Sequence, residues 1–185
     1  MKKILARSLI LLIVAVAPSY GALETGTAEN PDQARFTSRE FGLSLIIPRE
    51  WHKSEYNLLY KHILILNGKN NARMKISAVV NDEKENQKWY QWQEWYTNNS
   101  GHVVTTILEK KDINYGPKIK AALIVFESMK RKQKYLNRIL LARSEKALII
   151  IECSAPVSVF YRNAMIFDTA MSSLNLNYTE TGSIK

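Results

Sequence analysis

The chain has 185 residues, 46% hydrophobic and 23% charged, with 26 Lys plus Arg against 17 Asp plus Glu and a formal charge of +9. That hydrophobic content excludes a disordered chain. A single Cys excludes an internal disulfide framework and a Cys-based structural zinc site. The positive balance invites a nucleic-acid or membrane reading, so its position along the chain decides its meaning.

Residues 1–21 have the pattern of a secretory signal peptide. Lys2, Lys3 and Arg7 supply a positive start, and residues 8–17 supply an apolar run. Pro18 breaks that run, and Ser19-Tyr20-Gly21 places small residues for a cut after Gly21. The run falls short of the roughly 18 to 20 residues that span a bilayer. Removal takes away three cations and leaves 23 basic against 17 acidic residues, or +6. An exported chain of that charge is not expected to meet nucleic acid. Residues 22–35 are mostly polar and read as a flexible leader, 36–176 as one domain, and 177–185 as a polar tail.

Within the domain, residues 41–47 form a first strand ended by Pro48. A second strand, 58–66, is followed by the turn pair Asn67-Gly68. Residues 73–80 alternate, with Met74, Ile76 and Ala78 on one face and Arg73, Lys75 and Ser77 on the other, a half-buried strand. The spacing of these two strands predicts a hairpin. Asn81-Asp82 caps a helix over 83–98, whose Trp89, Trp92 and Tyr96 form a core-facing stripe with Trp95 at its edge. Asp82, Glu83 and Glu85 suit the positive end of that helix. Four strands follow, at 102–109, 119–127, 135–143 and 147–153, with 130–134 as a polar turn. Leu148-Ile149-Ile150-Ile151 is apolar on both faces, which places the last strand centrally. Pro156 opens a final helix to about residue 173, with Phe160, Ala164, Phe167, Met171 and Leu174 on one side. The fold class is α+β, an α/β/α sandwich with a central, mainly antiparallel sheet covered by helices.

This pattern resembles the PsbP/DcrB-like superfamily, whose fold is shared with a Ran-binding nuclear import factor. The most telling segment is Phe41-Gly42-Leu43-Ser44-Leu45-Ile46-Ile47-Pro48-Arg49-Glu50-Trp51, an aromatic-Gly-hydrophobic strand followed by Pro and then Trp. The end is similar too: an apolar strand, a Ser-Ala-Pro break, a helix with spaced Phe, and Ser173-Leu174. The resemblance covers residues 36–176. It implies a sandwich used for binding, with no shared catalytic residue to carry over. The ion-binding positions of the photosynthetic members are not carried over either.

Read for chemistry, the sequence offers little. His52, His62 and His102 form no His-x-x-His or His-Glu-x-x-His pattern. Cys153 reads as a buried, inert strand residue. Trp51 reads as a ring folded back into the core, with ligand stacking as the rarer alternative. No Gly-x-Ser-x-Gly, phosphate loop or kinase signature occurs. No cofactor or metal is expected. The remaining positive charge concentrates between Lys118 and Arg143, most densely at Lys130, Arg131, Lys132 and Lys134. These four, with Tyr90 and Trp95 on the aromatic helix, are the expected partner-binding residues. The expected function is that of an exported, periplasmic or secreted, non-enzymatic binding or accessory protein. Its partner would be a protein or envelope component, with an anionic membrane surface as a further option. Two other classes stay open: a small-ligand or metal carrier, and a small hydrolase joining His62 or His102 to a carboxylate.

Overall fold

The computed structural model describes residues 22–24, 30–54, 62–80, 94, 96, 98, 102–114, 119–143 and 147–176. Three strands, β1 (Ala22–Glu24), β2 (Gln33–Ser38) and β3 (Leu43–Pro48), make a small antiparallel sheet. Seven more make the main sheet: β4 (His52–Lys53), β5 (His62–Asn67), β6 (Arg73–Val80), β7 (Val103–Asn114), β8 (Lys120–Lys130), β9 (Gln133–Arg143) and β10 (Ala147–Pro156). Their order is β4-β5-β6-β10-β9-β8-β7, every pairing antiparallel. One helix, α1 (Val157–Ser172), follows β10 directly.

β10 is central, as its two-faced apolar run predicts. All ten of its residues are buried, and they alternate between two cores. Ile149, Ile151, Cys153 and Ala155 face the larger core, which includes Phe36, Leu43 and Leu45 of the small sheet and Phe160, Phe167 and Met171 of α1. Leu148 and Ile150 face the second core, with Ile124, Phe126, Ile139, Leu141 and Tyr96. Tyr96, like Glu94 and Asn98, is helical. The sandwich is therefore α+β, with helical residues on both faces of the main sheet.

The small sheet is the main departure from the expected layout. Residues 22–35 were expected to be a flexible leader, yet β1 and the first half of β2 lie there. Ala34 and Phe36 of β2 are buried and Arg35 is exposed, an alternation too short to stand out. Phe41 and Gly42 open no strand. They lie in the β2–β3 turn, where Gly42 takes φ +61°, a conformation that favours glycine. On its other side β3 is closed by the residues just after α1. Ile46 N–H donates to Ser173 Oγ at 2.8 Å, and Ser44 and Asn175 exchange backbone bonds of 2.8 Å.

The β5–β6 hairpin forms as expected, but Asn67-Gly68 is not its turn. The loop is 68–72, with Asn70 and Asn71 at positive φ. Gly68 serves packing instead: a Cβ there would sit 2.5 Å from Trp51 Cε2. Trp51 is half-buried and meets the Phe167 ring edge-on at 5.9 Å, the fold-back expected of it. β7 runs five residues past the expected 109. There Lys110 to Asn114 hold their register with β8 through the backbone rather than an apolar pattern. The turn expected over 130–134 tightens to Arg131-Lys132, both at positive φ (49° and 65°), a geometry that matches the strand twist. Among the described residues no helix is long and apolar enough to cross a membrane.

Candidate functional site

The face of the main sheet opposite α1 changes character along its strands. One stretch is apolar: Leu148 and Ile150 of β10, Ile139 and Leu141 of β9, Ile124 and Phe126 of β8. Two residues further along each strand the same face turns polar, at Glu152 and Ser154, Asn137, and Ser128.

Glu152 anchors this polar end. Its carboxylate lies 2.6 Å from Lys75 Nζ on the neighbouring β6. Tyr96 donates its O–H to the same oxygen at 2.8 Å. His102 Nε2 lies 3.1 Å from the other oxygen, and since an ionised carboxylate only accepts, the ring nitrogen donates. Burial pushes the Glu152 carboxyl up. The His102 hydrogen bond and the Lys75 and His102 charges outweigh it and bring the carboxyl down to about 2. Glu152 is thus an ionised anchor tying Tyr96 to the sheet. Tyr96 is held well above its ordinary pKa, by burial first and then by the Glu152 charge.

Beside this cluster lies a cavity of about 200 Å³. Its buried lining is Ser128, Asn137, Glu152 and Ser154, and its outer lining includes Arg73, Lys130, Tyr135 and His102. Asn137 donates from Nδ2 to Phe126 O (3.2 Å) and Ser128 Oγ (2.9 Å). Its Oδ1 is buried and has no hydrogen-bond partner among the described residues, and neither has Arg73 Nε.

The β8–β9 tip projects next to the cavity. Lys130, Arg131, Lys132 and Lys134 are all exposed. Lys134 pairs with Glu127 at 2.9 Å, and Lys130 Nζ lies 5.8 Å from the Tyr135 ring centroid. The hairpin is braced halfway along, where Arg138 pairs with Asp168 of α1 and lies over the Phe160 ring. Tyr90 and Trp95 lie outside the described residues. A second cavity, about 420 Å³, opens between the end of β3 and α1, lined by Trp51, Pro48, Met165 and Ile166 among others. Met165 is 78% exposed.

Of the histidines, His52 is exposed and the His62 side chain lies outside the description. His102 is joined to a carboxylate, as the hydrolase alternative requires. Among the described residues no group of three or more His, Cys, Asp or Glu is placed to hold a metal ion. Cys153 faces the other core, where burial and then the Glu152 charge push its thiol up. Sequence reasoning missed the Glu152 cluster. Its one signal was a lone acid inside an apolar central strand; its partners come from 50, 56 and 77 positions away, at His102, Tyr96 and Lys75.

No family model matches the chain, and no curated protein matches it. Solved structures do. The chain is similar to the cyanobacterial PsbP protein CyanoP of Synechocystis sp. PCC 6803, with TM-score 0.60 at 9% identity, covering 83% of this chain and 97% of that one. It also aligns with PA94, a protein of unknown function from Pseudomonas aeruginosa (TM-score 0.48, 14% identity, 74% of this chain and 91% of that one). A third is LpqN of Mycobacterium tuberculosis, involved in cell envelope biogenesis (TM-score 0.48, 8% identity, 72% and 82%). The chain has the PsbP-like fold.

Proposed function

We propose that this protein is exported and acts as a non-enzymatic accessory protein, presenting the basic end of its main sheet to an acidic protein or envelope partner. The observation that carries this reading is the β8–β9 tip. The two-residue turn Arg131-Lys132 and the adjoining Lys130 stand in solvent, with no acidic partner among the described residues. A fixed cluster of cations steers an oppositely charged surface and sets orientation more than raw affinity. The saturated Glu152 supports binding over catalysis, because an ionised carboxylate with three donors is a poor proton carrier at neutral pH. Export is supported by the signal pattern of residues 1–21.

The test is crosslinking in the native host with the parent and with Lys130→Glu, Arg131→Glu, Lys132→Glu. The reversed tip should lose the captured partner, and the parent's binding should weaken with salt. Capture unchanged by the reversal rejects this surface. A hydrolase is the second reading, favoured by the His102–Glu152 pair. It predicts that His102→Ala abolishes whatever hydrolysis the purified protein shows, and retained hydrolysis removes it.

A further inference from the structure

Among the described residues eight polar or charged side chains are buried, and four of them line the cavity under the β8–β9 tip: Ser128 (3% exposed), Asn137 (1%), Glu152 (5%) and Ser154 (8%). Burying polar groups costs free energy unless each finds a partner. Glu152 has its three donors. Asn137 does not: its Nδ2 donates twice while its Oδ1, equally buried, accepts nothing among the described residues. Arg73, on the same cavity, has an Nε–H in the same state. Buried groups of this kind point to an occupant. It has to bring a donor for Asn137 and an acceptor for Arg73.

Charge narrows the class. Lys75 already neutralises Glu152, which leaves the Arg73 guanidinium and the Lys130 ammonium as excess charge on the cavity. The acceptor is therefore an anionic group, the natural partner of a guanidinium. Size narrows it further. About 200 Å³ is below the roughly 300 Å³ of the smaller drug-sized sites, so the ligand is of monosaccharide size.

We infer that this cavity binds a small hydroxylated anion. Its carboxylate or phosphate faces Arg73 and Lys130, and a neighbouring hydroxyl donates to Asn137 Oδ1. The site shares Lys130 with the hairpin-tip reading, but Arg131 and Lys132 take no part in it, so reversing those two alone tests the tip without touching the cavity.

The test is calorimetric titration of the purified protein with glucuronate, glucose 6-phosphate and glucose. At least one anion should bind about tenfold or more tighter than glucose, and which one does so identifies the acidic group. Asn137→Asp, which sets a carboxylate beside the ligand, should weaken that binding by about tenfold or more. Lys130→Ala lies on the exposed rim, leaves the fold untouched and should weaken it about threefold. No saturable heat with either anion, glucose binding as tightly as both, or full affinity in the Lys130→Ala protein overturns the inference.

Discussion

Replacing Glu152 by Gln removes one charge from the centre of the sheet and keeps the side chain's shape. Its carboxyl falls from 4.5 to about 2 on folding. At about 1.4 kcal/mol per pKa unit this is about 3 kcal/mol of stability. The folded value is the lower one. The contribution is therefore fully present above the unfolded value of 4.5 and disappears as pH falls toward about 2. The Gln variant lacks it at every pH and also leaves Lys75 without its counter-charge, at 18% side-chain exposure. Breaking one side of a buried pair costs about 3–5 kcal/mol, so the variant should be less stable by that amount near neutral pH. Urea unfolding followed by far-UV circular dichroism measures it. Between about pH 7 and about pH 3 the gap between parent and variant should narrow by about 2 kcal/mol, because the parent alone loses the ionised anchor. A gap of the same size at both pH values would refute the electrostatic account and leave only a packing defect.

Gly68→Ala places a methyl 2.5 Å from the Trp51 ring and should cost about 1–3 kcal/mol in urea unfolding, with a changed tryptophan emission; unchanged emission would show that the ring does not depend on that gap. Phe167→Ala removes a fully buried ring that touches both Trp51 and Phe160. It should cost about 3–5 kcal/mol in the same assay, and a loss under about 1 kcal/mol would contradict its place in the core. Cys153 should resist a thiol-reactive dye in the native protein and react on unfolding, since it is fully buried with its thiol pKa raised. Native-state labelling faster than unfolding would contradict that placement.

Apolar pattern carried most of the fold. β10 declared its central place by being apolar on both faces, and β6 declared its buried side through Met74, Ile76 and Ala78. The small sheet stayed hidden because β2 offers only Ala34 and Phe36 as alternating inward apolar residues and otherwise depends on backbone pairing. Asn67-Gly68 misled for a different reason: glycine is used there for its missing Cβ, not for its turn geometry. The basic tip was legible as a run of charge. The cavity was not, because Asn137, Ser154 and Arg73 become neighbours only when β6, β9 and β10 pair. A polar site built across strands leaves no spacing for a motif to show.

The clasp between β3 and the residues just after α1 bears on the order in which the molecule can be completed. Ile46 and Ser173 are 127 positions apart, and the Ser44–Asn175 bridge lies just beside them. A chain appearing from its N-terminus can pair β2 with β3 early, since a short turn joins them. The outer edge of β3 nevertheless stays open until Ser173 and Asn175 arrive, and contacts of such long sequence separation form slowly. The small sheet thus pairs well before it is sealed, and a truncation that removes Ser173 to Asn175 leaves an unpaired strand edge on the domain.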